Sequence, residues 1–267
     1  MLQSLRSHWP EYLMEAGELG AFMLLASGFA TLLYAPTSPV PELIPNGLLR
    51  GVVMGSIMGI CAIAIIYSPW GKQSGAHFNP AVTLAFYRLG KLEAWDALFY
   101  VIAQFIGGVA GVGLAVVLFG PAFTNQPVNY IVTVPGIWGW TGALATEALL
   151  AFGLMVMVLI VSNHTKLHHL TGVFAGILVA IFVTLAGPIS GMSINPARTF
   201  ASGLPAQVWT HFWIYYFAPP LAMLLAAELY LRLSQRRSQE ICGKVCPNTE
   251  TRCICTACPC MEDPQAT

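Results

Sequence analysis

The chain has 267 residues, 56% of them hydrophobic and only 9% charged, and its basic and acidic side chains balance to zero. An average soluble domain carries about a quarter charged residues, so this composition argues against a water-soluble globular protein and for an integral membrane protein. With zero net charge and no long Lys/Arg run, nucleic-acid partners drop out.

Residues 1–10 are polar apart from Trp9 and a few aliphatic side chains, and no small-residue cleavage site follows, so the first apolar span is expected to act as its own insertion signal. Hydropathy then rises over residues 12–34, 48–67, 94–119, 141–161, 170–187 and 212–233. Each stretch is about 20 residues, enough to cross a ~30 Å hydrocarbon core. The first span carries Glu15 and Glu18, and the fourth carries Glu147. Glycines recur at helical spacing in the second span (Gly51, Gly55, Gly59) and the fifth (Gly172, Gly176), which permits close helix packing in lipid. Gly108, Gly111 and Gly113 in the third span imitate a nucleotide-binding loop, but no strand precedes them.

Two apolar segments, 78–87 and 194–204, are too short to cross. They fit re-entrant half-helices, which are tolerated at membrane depth where they line a cavity or are buried in protein. With both termini on the cytoplasmic side, the basic residues Arg6, Lys72, Arg88, Lys91, Lys166, Arg232, Arg236, Arg237, Lys244 and Arg252 fall on that side and Arg50 on the other. Positive charge collects on cytoplasmic loops. Arg198 falls inside the second short segment, and an intramembrane ionisable group is a functional-site hypothesis by default. His164, His168 and His169 share the predicted cytoplasmic loop between the fourth and fifth spans, where a solvated loop or a pH-sensitive gate would both suit them.

The short segments open on a repeat. Ser74-Gly75-Ala76-His77-Phe78-Asn79-Pro80-Ala81 returns as Ser190-Gly191-Met192-Ser193-Ile194-Asn195-Pro196-Ala197. Three spans separate the copies, so the second must be inverted across the membrane relative to the first. The chain is thus expected to divide into a first repeat at 1–120, an inverted second repeat at 121–234 and a cytoplasmic tail at 235–267. In each box Asn suits a helix N-cap and Pro the first helical turn. Both half-helix N-termini would then point toward the bilayer midplane, their partial positive ends and the Asn amides favouring the oxygen of a neutral solute and opposing cations.

Paired Asn-Pro-Ala boxes, the second followed by Arg198, resemble the aquaporin and aquaglyceroporin family over roughly residues 11–234. The resemblance implies an all-α membrane protein: a right-handed bundle of six transmembrane helices with two re-entrant half-helices in an inverted repeat. It also implies a homotetramer in the lipid bilayer of the cell (plasma or inner) membrane, with a pore in each subunit. The implied activity is passive passage of water or another small neutral solute without enzymatic chemistry. Asn79, Pro80, Ala81, Asn195, Pro196 and Ala197 would form the pore boxes. Arg198 would stand at the narrowest point, near the outer mouth.

The family's spacing puts Val183 and Met192 in the filter with Arg198, and on the second span it gives Gly59, or Met58 if the register shifts by one. Val183 where water-selective members have His, and Gly59 where they have an aromatic, imply a wider filter suited to glycerol, urea or a small neutral hydroxide. Thr199, where glycerol-conducting members carry Asp, and the aromatic pair Tyr215 and Tyr216 imply water. Glu147, with either Glu15 or Glu18, would hold the re-entrant loops, along with His77. The alternative from another class is a junctional or scaffold membrane protein with little transport.

Cys61 lies in the second span as a small hydrophobe. Cys242, Cys246, Cys253, Cys255, Cys258 and Cys260 crowd the tail, which has too little apolar surface for a core of its own. In a reducing compartment these spacings read as soft-metal ligands for Zn, Cu(I) or an iron–sulfur cluster, or as a redox sensor. A channel regulated by a metal- or redox-sensing tail is the corresponding second alternative.

Overall fold

The structure is a computed structural model and describes residues 1–234 and 240–256. In chain order its helices are α1 (Leu2–Tyr34), α2 (Val40–Leu43), α3 (Gly47–Ile66), α4 (Pro69–Ser74), α5 (Pro80–Arg88), α6 (Ala94–Phe119), α7 (Pro121–Thr124), α8 (Gly139–Ser162), α9 (Thr171–Ser190), α10 (Pro196–Ala206) and α11 (Phe212–Ser234). Among the described residues six helices are long and apolar enough to cross a membrane: α1, α3, α6, α8, α11 and the stretch His168–Ser190 that contains α9. Leu25, Ile60, Ile106, Val117, Leu149, Leu185 and Leu221 point outward from these helices with a large part of their surface exposed. Water would not tolerate such a belt, whereas acyl chains solvate it without cost.

Lipid supplies no hydrophobic drive between helices, so their contacts depend on close backbone approach and small residues. α1 lies along α6, with Gly107 meeting the backbone of Ala16 and Gly111 that of Gly20. α3 lies along α9 in the same way: a Cβ on Gly59 would sit 2.5 Å from Gly176 O, and one on Gly176 2.6 Å from Gly59 O. The third pair is α11 against α8. The short helices α5 and α10 fill the space between the pairs, α5 against α11 and α6, and α10 against α6.

Residues 240–256 do not lie apart from this bundle. Ile241, Val245 and Cys246 are buried in one apolar cluster with Ile66, Val82, Val158 and Ala175. The tail's sequence offers too little apolar surface for a core of its own, and the structure shows its few apolar side chains entering the bundle's core instead. Three apolar side chains need no core of their own when they enter one the bundle has already built. Cys242 is disulfide-bonded, and Cys61 and Cys246 are free thiols. Among the described residues no three His, Cys, Asp or Glu side chains gather as a metal site, and Cys258 and Cys260 lie outside the described residues.

Candidate functional site: a cavity between two capped half-helices

α5 and α10 begin at the two boxes. Asn79 has extended backbone (φ −155°) and its Oδ1 accepts Ala81 N–H, which caps α5 while Pro80 takes the first turn. Asn195 (φ −146°) repeats this with Ala197 N–H at 3.1 Å and Arg198 N–H at 3.2 Å. Each cap uses the amide oxygen and leaves the two N–H bonds of Nδ2 available. One of them crosses to the other loop. Asn79 Nδ2 donates to Ile194 O and Asn195 Nδ2 to Phe78 O, both at 2.8 Å. This brace joins the two helix N-termini at one level, and both Asn side chains line a common cavity.

The loops entering the boxes hold an unusual backbone. Gly75 and Gly191 have positive φ, as do Ala76 and Phe78 in the first loop and Met192 and Ile194 in the second. A non-glycine residue in that region costs about 1–2 kcal/mol, so the surroundings must hold the chain there. Glu15 Oε1 and Oε2 accept His77 N–H (2.8 Å) and Phe78 N–H (2.6 Å). Glu147 Oε1 and Oε2 accept Ser193 N–H (3.0 Å) and Ile194 N–H (2.6 Å). The correspondence extends outward: Tyr100 donates to Ser74 O and Tyr215 to Ser190 O, both at 2.7 Å. The symmetry breaks at the serines, because Ser190 Oγ donates to Glu147 whereas Ser74 Oγ donates to Glu18. Glu15 therefore holds the first loop and Glu18 holds only a hydroxyl, its Oε2 buried without a partner. His77 Nε2 faces Gly243 O at 3.1 Å. A carbonyl only accepts, so Nε2 carries the proton and Nδ1 accepts from Thr83 Oγ1 at 3.3 Å.

The cavity measures about 690 Å³ and runs from Tyr34 and Gly47 past Arg198, Asn195 and Asn79 to Ile66 and Val245. No Asp or Glu stands among its lining residues. Arg198 Nη1 donates to Ile131 O at 2.9 Å and to Thr133 Oγ1, both on the connection before α8. These bonds fix the guanidinium and leave Nε and Nη2 without a protein partner among the described residues. Val183, Met192 and Met58 line the same cavity. Gly59 does not: it faces Gly176 and Ala180 in the α3–α9 contact. The α3 residues nearest the level of Val183 lie further toward the N-terminus, where Gly51 O is 3.4 Å from Thr184 Oγ1. Gly51 and Met54 both line the wall there, and a Cβ on Gly51 would meet nothing within 4 Å. Sequence spacing missed these two, because a count back from Asn79 crosses the end of α3 and all of α4 before it reaches them.

One end of this cavity meets the tail. Val245 N–H donates to Gly75 O at 2.9 Å, and Val245 itself stands on the wall. Arg252 reaches the buried Glu11 through Nε (2.9 Å) and Nη2 (2.5 Å), and Lys72 pairs with Glu250 at 2.7 Å. Glu250 is held below the usual carboxylate range, chiefly by its hydrogen bond from Lys72, and burial pushes the Cys246 thiol up.

The comparisons with known proteins bear on this geometry. The family model described as major intrinsic protein matches residues 6–230. The chain belongs to that family. Two archaeal relatives are similar along most of their length. The probable aquaporin AqpM of Archaeoglobus fulgidus is 34% identical over 197 residues, covering 71% of this chain and 79% of that protein. Aquaporin AqpM of Methanothermobacter marburgensis is 33% identical over 231 residues, covering 82% and 90%. Among solved structures, the aquaglyceroporin from Plasmodium falciparum superposes with a TM-score of 0.67 at 20% identity, over 84% of this chain and 96% of that one. At that identity the match concerns the fold, which is the major intrinsic protein bundle of six spans and two half-helices. This is a family of membrane channels.

Proposed function

We propose that the protein is a passive channel that conducts water and small uncharged hydrogen-bonding solutes through the cavity between its two half-helices. The carrying observation is the pairing of Asn79 and Asn195. Each is fixed by its own cap and by a bond to the opposite loop, with an amide hydrogen left over for a solute oxygen. Apolar walls offer few competing partners, so a file of solutes is oriented by these donors and by Arg198. Arg198 and the two helix N-termini give the cavity one sign of charge, and the lack of a carboxylate leaves nothing to compensate a dehydrated cation. No catalytic step is assigned, since Glu15 and Glu147 already spend their oxygens on loop N–H groups. An adhesive or scaffold role would require neither the cross-brace nor the fixed arginine.

Gly51 in the wall near Val183, with open space where a side chain would stand, supports a permeant range reaching glycerol or urea. Family likeness and the distribution of Lys and Arg support a homotetramer in the cell membrane with both termini cytoplasmic. The test for permeant breadth is stopped-flow light scattering on liposomes under glycerol and urea gradients, with wild type beside Val183→Trp. Solute entry in wild type that Val183→Trp abolishes supports the broad range. Water entry with neither solute would restrict the permeant to water.

A further inference from the structure

Residues 240–256 form a buried, well-bonded segment to which the channel reading gives no role. Three observations place it in the conducting path. Val245 is 5% exposed and lines the same cavity as Asn79 and Arg198. Its backbone N–H and the Gly243 carbonyl bond to Gly75 and His77, residues of the loop that sets the first Asn box. Its side chain joins Ile66, Val158 and Ala175 in one apolar cluster, so that end of the cavity is lined mainly by apolar side chains, with His77 the polar one beside them. Apolar constrictions stop flow by dewetting as well as by obstruction.

The segment is held on two sides. Inward, Ile241, Val245 and Cys246 pack in the core and the buried Lys244 donates through Nζ to Lys72 O; outward, two ion pairs fasten it, Arg252 on Glu11 of α1 and Glu250 on Lys72 of α4. If the segment leaves, Glu11 gains water in exchange for Arg252 and the bundle contacts α1–α6, α3–α9 and α8–α11 remain. Resting on the channel reading, we propose that residues 240–256 are a built-in plug. Val245 is the stopper in the mouth, and the Arg252–Glu11 and Glu250–Lys72 pairs are the latch. Cys246 reports its position. That thiol is 4% exposed beside Val245, so an alkylating reagent reaches it only when the plug has moved out.

The experiment compares full-length wild type with Arg252→Glu combined with Glu250→Lys, which sets like charges against Glu11 and Lys72. Osmotic water permeability in liposomes is read alongside site-resolved alkylation of Cys246 by mass spectrometry. Breaking a charge pair with one buried member is strongly destabilising to the contact, so the double variant should conduct roughly tenfold or more faster than wild type and alkylate at Cys246 faster by a similar factor. Adding Lys72→Glu to that variant restores one pair and should lower both readings. Equal fluxes in wild type and variant, with Cys246 protected only in wild type, would overturn the plug while leaving the channel intact. Unchanged alkylation in the double variant would overturn the latch. Fast alkylation in a variant that conducts no better than empty liposomes would overturn the channel reading itself, and the plug with it.

Discussion

Three donors converge on the Glu147 carboxylate: Ser190 Oγ, Ser193 N–H and Ile194 N–H. All three donor residues are buried, and an unsatisfied buried donor costs about 1–3 kcal/mol. Glu147→Leu should therefore remove several kcal/mol and release the strained loop at Met192 and Ile194, which a fall in thermal unfolding temperature in detergent, with loss of flux, will show. Glu18 makes the contrast. It accepts one hydroxyl and leaves its other oxygen orphaned, so Glu18→Gln should leave that unfolding temperature unchanged or higher. The sequence could nominate Glu15 and Glu18 together but could not separate them, since both lie on one helix of the same apolar character. Only the placement of His77 N–H and Phe78 N–H decides between them. The Asn boxes were legible at once, because Asn before Pro is both a helix cap and a first turn, and its duplication is visible without any structure.

At the scale of elements, the spans were readable from hydropathy and the half-helices from being too short to cross. What escaped was rotation. Gly51, Gly55 and Gly59 all recur at helical spacing, yet Gly55 and Gly59 are spent on α9 while Gly51 faces the cavity. Periodicity gives a shared stripe; it does not say where the stripe turns from helix contact to pore wall. The difference is testable by adding one methyl group. Gly59→Ala forces a Cβ against Gly176 O and should cost about 1–3 kcal/mol, as overpacking does. Gly51→Ala enters open space and should leave unfolding unaltered. A thermal melt of the two variants side by side checks both, and glycerol entry through Gly51→Trp should fall because the wall has been filled.

Across the whole molecule the tail is seated by contacts that its sequence does not announce. Six cysteines in a short stretch draw attention to sulfur chemistry, and Cys242 is disulfide-bonded, but the contacts that seat the tail also include Val245, the backbone of Gly243, Arg252 and Glu250. None of these stands out in a linear reading, because their partners Gly75, His77, Glu11 and Lys72 are distant in sequence. The same holds for the cavity: Arg198 is conspicuous as an intramembrane charge, but its fixation by Ile131 and Thr133 depends on a connection that no periodicity marks. Arg198→Ala should widen this point and remove its positive charge, and a rise in cation leak through liposomes, measured as dissipation of an imposed potassium gradient, is the expected outcome.

A continuous path for uncharged solutes past Asn79 and Asn195 is the claim on which the rest depends. Its sharpest test is the osmotic water permeability of liposomes carrying the full-length chain with Arg252→Glu and Glu250→Lys, measured over a range of temperatures. Flux well above that of empty liposomes is expected, with the weak temperature dependence of a preformed aqueous path. Flux equal to that of the empty liposomes, with the same steep temperature dependence as bare lipid, would contradict it.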